Sequence, residues 1–468
     1  PWDDEPADPA TDRFDQLDDI VSTTSQVFLG TTLACARCHD HKFEALTMHD
    51  YYRFLAIFAP LKRPQGGRAD LDMPLVPAKK LAAFQERERQ IAQWEERNKL
   101  AKFLGGIGVN IAAKPIAELK QQVPDGIRGY VFQESKPPET HILTRGVASR
   151  PGPKVAPGFP TVFVEKQPEF LAPSATSSQR RLTLAKWIAS PTNPLTARVM
   201  VNRVWQHHFG EGLVKSPSDF GVQGELPTHP ELLDYLATQF VKEGWSIKKL
   251  HTLIMSSNAY RMNKRWQADY GKEDPENHLL WRMHYRRLDV EAIRDSVLAV
   301  TGKLNSTKGG PSINLPIPKE ALEGNSDPKT VWKPDTEPAI YRRTVYATVK
   351  RSLGVPLLEA LDLCDTVRTA AQRNTTTVAP QALMLFNGEF INQQAKFFAE
   401  RLEKEAGNEP SQQITLAYRL ALCRQPTESE ATTLLAFFKK QSAETSPRAA
   451  REQLCRVLLN LNEFVYPD

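Results

Sequence analysis

The sequence predicts a mainly α, multi-domain helical chain, with a small β-rich insertion or arm around 105–173 and a strand near 341–349. Three observations carry this. Long stretches repeat apolar residues at helical spacing and stop at glycine or proline. One stretch in the first half breaks into short β-like runs punctuated by Gly and Pro. The length of 468 residues suggests two to four domains rather than one core.

Composition narrows the class. An apolar fraction of 41 % and a charged fraction of 25 % are ordinary for a soluble globular protein. No apolar run approaches the roughly eighteen residues of a membrane-crossing helix, so no membrane span is expected. A net charge of +5 is small for this length and gives no reason to expect nucleic acid as a partner. The 35 prolines imply long ordered loops. The chain begins at Pro1, no signal peptide is visible, and the start reads as a fragment. Five cysteines, an odd count, argue against a disulfide framework, and Cys423 and Cys455 read as core residues on apolar helical patterns.

The elements follow in order. Thr11–Thr32 reads as a helix, with Phe14, Leu17, Ile20, Val21, Val27 and Phe28 roughly on one face. A second amphipathic helix is expected over His49–Phe58, and the two would make a partial pocket around the segment they flank. Leu61–Pro77 looks like a linker. Ala78–Leu104 reads as a long charged helix with a thin apolar stripe, suited to lie on another domain or to form half of a helical hairpin. Short strands are expected at Gly129–Gln133, Ile142–Thr144 and Thr161–Val164. Arg181–Ala189 is helical again. Asn193-Pro194 opens a helix that Gly210 ends, and Thr228–Glu231 reads as a capping box for a helix closed by Gly244. Ser246–Ser257 and Asp289–Thr301 are further helices. Lys303–Pro338 is loop-rich, and Tyr341–Val349 alternates like a strand. Helices are expected at Pro380–Ala406, Ser411–Leu422, Thr427–Gln441 and Arg451–Phe464. The domain organisation expected is 1–60, 61–104, 105–173 and 174–468.

Cys35-Ala36-Arg37-Cys38-His39 is the chemically most specific stretch. Cys-x-x-Cys-His is the pattern that attaches a c-type haem. Two intervening residues put both sulfurs near the rim of one porphyrin, and the next imidazole reaches its iron. Cys35 and Cys38 would be the attachment thiols and His39 the proximal ligand, with Met48 or His49 as distal candidates. A pair of buried thiols beside a histidine is the plainer alternative. A third is a single Zn or Fe ion at Cys35, Cys38, His39 and His41, although four ligands within seven residues strain a tetrahedral site.

A second constellation lies between Arg198 and His229. On a helix Arg198 and Asn202 share one face, and Arg203 and His207 share another. His208 follows, then Asp219, Glu225 and His229 in a Gly- and Pro-rich loop. These residues would form a pocket that binds or processes a ligand such as a surface polysaccharide, or supply a general base. The favoured alternative is a buried polar network that ties the 211–228 loop to the helix. No nucleophile elbow, phosphate loop or paired-carboxylate motif accompanies it.

The segments Asp18–Thr24, FLGTTLACARCHDHKF (28–43) and Asp50-Tyr51-Tyr52 resemble the C-terminal part of the planctomycete cytochrome-c-like domain. Residues 181–237, TTTVAPQALMLFN (375–387) and LLNLNEFVYPD (458–468) resemble its fused partner, the planctomycete-specific domain of unknown function. The resemblance implies a protein of the periplasm or cell envelope, a haem c cofactor at Cys35–His39, and electron transfer to a redox partner or another envelope protein. It implies no known reaction, and it leaves open whether the chain is an enzyme.

Overall fold

The computed structural model describes residues 8–62, 72–74, 78–105, 110–122, 128–130, 133–174, 177–323, 331–350, 353–365 and 369–467. It is mainly helical, with two short antiparallel strand pairs among the described residues. The chain divides into two compact units. Among the described residues, one comprises those of 8–22 and 33–188, the other those of 23–32 and 189–467.

The first unit is built on two helices. Pro9–Thr24 buries Phe14, Leu17 and Val21, and Met48–Phe58 buries nearly its whole length. Thr47 caps the second helix: its hydroxyl accepts from the Asp50 N–H at 3.1 Å, and the Asp50 carboxylate accepts from the Thr47 N–H at 3.0 Å, a capping box. Asp50 is fully buried and also accepts from the Thr161 N–H (2.9 Å) and hydroxyl (3.2 Å), so one carboxylate ties the helix to a segment more than a hundred residues away. The space between the two helices is filled. Phe14 stacks on Tyr52 with centroids 6.2 Å apart, and Tyr51 meets Tyr52 edge-on at 4.9 Å.

The β-arm is real but smaller than its sequence suggests. Asp72–Pro74 pairs with Arg128–Tyr130, and Thr140–Leu143 pairs with Pro151–Val155. The expected 161–164 strand is a 3₁₀ turn, Thr161–Phe163. Ala113–Gln122, inside the predicted β stretch, is a helix that packs on Ala78–Gly105 as a hairpin. Most of the Leu61–Pro77 linker lies outside the described residues.

The described residues of the second unit are mainly helical, with a loop-rich stretch after Gly302, and the apolar clusters of 197–254 and 290–465 are its cores. Thr196–Phe209 begins after Asn193, whose side-chain oxygen accepts from the Leu195 and Thr196 N–H groups, both at 3.0 Å, and ends at Gly210 with φ +89°. The helices Pro230–Lys242, Ile247–Met255 and Val290–Val300 lie within two residues of the expected spans. At 428–444 the Thr427–Glu430 capping box forms. The Thr228–Glu231 box does not: the Thr228 hydroxyl donates instead to the Leu213 carbonyl at 3.3 Å. Pro380–Ala406 is broken at Gly388 into Ala379–Asn387 and Glu389–Ala406. The expected 341–349 strand is two 3₁₀ turns, Ala339–Tyr341 and Thr344–Tyr346, with single bridges to Asn305 and Ile313. Cys455 is core, but Cys423 is exposed, in the left-handed position that ends Pro410–Leu422.

The Asp50 junction predicts a large, local stability effect. Replacing Asp50 by Ala removes a cap and leaves the Thr161 and Thr47 donors unmatched, for a loss of about 2–4 kcal/mol. Thermal unfolding of Asp50→Ala against Asp50→Asn, which keeps one acceptor oxygen, measures it; an Ala variant as stable as the parent would remove the junction from this role.

Candidate functional site

The Cys-x-x-Cys-His segment is a turn held from inside. Leu33–Ala36 is one 3₁₀ turn, and Leu33 and Ala36 are both fully buried in the cluster of Phe14 and Tyr52. Arg37 anchors the next step. Its guanidinium lies 2.8 Å from the Asp15 carboxylate, 3.0 Å from that of Asp18, and 4.3 Å from the Phe14 ring centroid. Burial works against the Arg37 charge, but the two carboxylates outweigh it and hold its pKa above the ordinary value. Tyr51 donates to Asp18 at 2.5 Å and Tyr52 to the Arg37 carbonyl at 3.0 Å. Burial pushes the Tyr52 hydroxyl up to about 12, so it stays a donor at neutral pH. With Ala36 and Arg37 turned inward, Cys35, Cys38 and His39 are left exposed, and both thiols are free.

Gly146 closes one side of the turn. A Cβ there would lie 2.6 Å from the Cys38 sulfur, and its φ of +69° suits glycine alone without strain. The two nearby histidines are oriented differently. His39 Nδ1 lies 2.7 Å from the Asp40 carbonyl oxygen, so that nitrogen donates and Nε2 carries the lone pair of the neutral ring. His41 Nδ1 faces the N–H groups of Phe43 (3.2 Å) and Glu44 (2.9 Å), so it accepts, and the proton of the neutral ring sits on Nε2. A metal-binding imidazole needs one ring nitrogen with a free lone pair and commonly donates its other N–H, as in the first arrangement. The Met48 N–H donates to the Asp40 carboxylate at 2.8 Å, and its side chain packs on the apolar cluster; His49 is exposed. Among the described residues no three Cys, His, Asp or Glu side chains lie close enough to hold a metal ion.

The eight residues of the second constellation go separate ways. Arg198 pairs with Asp234 at 2.6 Å. Asn202, fully buried, donates to the Val214 carbonyl and accepts from its N–H, both at 2.8 Å. Asp219 accepts from the Gly221 N–H at 3.0 Å, and the Glu225 N–H donates to Ser216 Oγ at 2.8 Å. His229 Nδ1 lies 3.0 Å from the Thr228 hydroxyl. Of these contacts only the Asn202–Val214 pair ties the 211–228 loop to the helix; the others lie within the loop, between neighbouring residues or between helices. His208 Nε2 lies 2.7 Å from His251 Nδ1 beside the Tyr260 ring.

Arg203 and His207 are different. Both line a hollow of about 690 Å³ together with Arg286, Gln372 and Arg373, none of which the sequence pattern singled out. Arg203 Nη2 donates to the Gln26 carbonyl and to Ser218 Oγ, both at 3.2 Å, and burial lowers its pKa. Burial lowers the His207 pKa too, reinforced by Arg286, Arg203 and Arg373 against Asp289.

Two measurements check these environments. In the folded protein with its thiols unmodified, iodoacetamide should alkylate Cys35, Cys38 and Cys423 readily. Cys455, fully buried with its thiol pKa pushed up by burial, should react only on unfolding, as peptide mass mapping would read. Second, burial holds the pKa values of His208 and His284 below the ordinary 6.5. Both then bind protons more readily in the unfolded chain. Their contribution is intact above pH 6.5 and falls as the pH drops below it toward the folded-state values. The melting temperature should therefore decline from about pH 7.5 to about pH 5.5, with a shallower slope in His284→Gln; equal slopes would exclude His284 as a contributor.

No helix among the described residues is long and apolar enough to cross a membrane. Residues 1–63 match PSCyt2, described as a protein of unknown function (DUF1549). No curated protein and no solved structure matches the chain. Residues 180–438 match PSD1, described as a protein of unknown function (DUF1553). That match spans more than half of the 468 residues, and the chain belongs to this planctomycete-type family of unknown function.

Proposed function

We propose that Cys35, Cys38 and His39 attach a c-type haem at the surface of the first unit, and that the chain is an electron-transfer-type protein of the periplasm or cell envelope. The observation that carries this reading is the orientation of His39. Its Nδ1 is held on the Asp40 carbonyl at 2.7 Å, which leaves Nε2 as the ligand nitrogen beside two exposed free thiols. Haem, when bound, supplies a one-electron iron couple. The protein's share is placement. Ala36 and Arg37, turned inward, fix the direction of both sulfurs, and Gly146 seats Cys38. The filled core between the two helices leaves the outer face of the turn for a porphyrin, so its edge would be open to a redox partner or another envelope protein. Met48 and His49 stay the distal candidates, and of the two His49 is exposed.

The haem reading also explains why His41, two residues on, is the poorer ligand, since its Nδ1 is taken up as an acceptor by two backbone N–H groups. The test is a pyridine haemochrome spectrum of the full chain made with cytochrome c maturation machinery. One covalent haem per chain is expected, abolished in Cys35→Ala/Cys38→Ala, and retained but spectrally altered in His39→Ala. Absence of a covalent haem band in the parent overturns the assignment.

A further inference from the structure

The second unit holds a feature that the haem reading does not use. The hollow containing Arg203 and His207 shares His284, Tyr285, Arg286, Arg287 and Asp289 with a neighbouring open hollow of about 1180 Å³. Adjoining along these residues, the two hollows make up a cleft. Its cations are unequally compensated. Arg287 is paired with Asp362 at 2.6 Å, Arg373 with Glu291 at 2.6 Å, and Lys215 with Glu211 at 3.0 Å. Among the described residues Arg203 has no carboxylate partner. Its Nη2 is used by a carbonyl and a hydroxyl, and among the described residues its Nε is buried without an acceptor and its Nη1 makes no hydrogen bond. Arg282, in the second hollow, likewise has no carboxylate partner among the described residues, and its Nη1 meets only the Met283 carbonyl at 3.5 Å. Its guanidinium lies over Trp266 and Trp281, at 5.4 and 5.1 Å from the ring centroids, and its Nε too is buried without an acceptor. Arg286 reaches Asp289 only at 3.9 Å.

A guanidinium withdrawn from water without a counter-ion is costly, and an oxyanion from outside relieves that cost through charge-assisted bonds. The lowered pKa of His207, set in part by Arg203, Arg286 and Arg373, reports the same positive field. The rest of the lining indicates what carries the oxyanion. Tyr285 is 67 % exposed, lies beside Tyr466 with centroids 6.4 Å apart, and has the Lys264 ammonium 5.3 Å from its ring centroid, so its exposed part offers a ring contact next to a further cation. Gln206, Gln372, Thr375 and Thr377 offer neutral hydrogen-bonding groups. Glu211, Glu276 and Asp289 stand among the cations. Carboxylates at those positions accept hydroxyl protons but repel a continuous phosphate backbone, so the lining favours a hydroxylated ligand with spaced acid groups over single-stranded nucleic acid.

We infer that this cleft binds an acidic oligosaccharide, with acid groups at Arg203 and Arg282 and a sugar ring against Tyr285. The site lies wholly within the second unit and does not depend on haem. Titration calorimetry on the full chain tests it with four probes: trigalacturonate, a sulfated neutral trisaccharide, the unsulfated trisaccharide, and oligothymidylate, with inorganic sulfate as the ion control. Binding of trigalacturonate or of the sulfated sugar, and not of the unsulfated one, is the expected result; which of the two binds tighter tells carboxylate from sulfate. Arg203→Gln and Arg282→Gln should each weaken it by about tenfold to a hundredfold. Tyr285→Ala, at an exposed position that leaves the fold intact, should weaken it as well. Should Arg203→Gln unfold, Arg282→Gln and Tyr285→Ala still decide the matter. No binding of either acidic sugar, equal binding of the unsulfated sugar, affinity matched by sulfate alone, or tighter binding of oligothymidylate each overturns the assignment.

Discussion

The arrangement of the first unit depends on the Arg37 guanidinium between Asp15 and Asp18. This is a half-exposed ion pair, and such pairs contribute modestly to stability. Its consequence is geometric. It turns the residue between the two cysteines toward the Pro9–Thr24 helix, and Ala36, fully buried, turns the other way inward. A turn with both intervening residues committed to the interior has to present Cys35, Cys38 and His39 to the outside. The hydroxyls of Tyr51 and Tyr52 hold the same junction from the Met48–Phe58 helix, through Asp18 and through the Arg37 carbonyl. The chemistry-bearing residues are therefore positioned by their neighbours in sequence, which a motif treats as filler.

Much of the fold was legible because its signals are local. The helix ends at Gly210, Gly244 and Gly302 have positive φ, as glycine stops require, and the Thr427–Glu430 box closes on itself within four residues. What misled was equally local. Thr228–Glu231 has the letters of a capping box, but the Leu213 carbonyl competes for the Thr228 hydroxyl and wins. Tyr341–Val349 alternates as a strand would, yet Arg294 binds the Ile340 and Arg342 carbonyls and the Thr344 hydroxyl, and Asp295 takes the Thr344 N–H. Side chains of one helix satisfy part of that backbone, and single bridges to Asn305 and Ile313 stand in place of a full ladder. In the Gly- and Pro-rich 105–173 stretch, the alanine- and lysine-bearing 113–122 run followed helix propensity against its surroundings.

The helix Thr196–Phe209 shows how far a face pattern reaches. Spacing placed Arg198 with Asn202 and Arg203 with His207, and the helix does carry them on those faces. The pattern could not say what each face meets. Asn202 meets one peptide unit, Val214, with both its donor and its acceptor, and that satisfies its polar side chain within the fold. Gly30, across from the same helix, has φ +56° and a Cβ position only 2.8 Å from Phe220 and 2.9 Å from Val199, so the 23–32 segment approaches as closely as a backbone can. One turn further along, Arg203 meets the carbonyl of Gln26 from that segment, and nothing charged.

That difference separates residues that hold the fold from residues available to a ligand. A buried polar side chain whose bonds all close inside the protein has done its work in folding. A half-buried cation whose bonds end on neutral groups retains an unbalanced charge, and the fold has to tolerate it. The residues that surround Arg203 with further positive charge, Arg286 and Arg373, come from parts of the chain some eighty and more positions away. No periodicity within one helix could have announced their meeting. The Cys35–His39 turn is the opposite case, with the chemistry proposed for it suggested by five consecutive letters and the inward pull of Ala36 and Arg37 supplied by the structure.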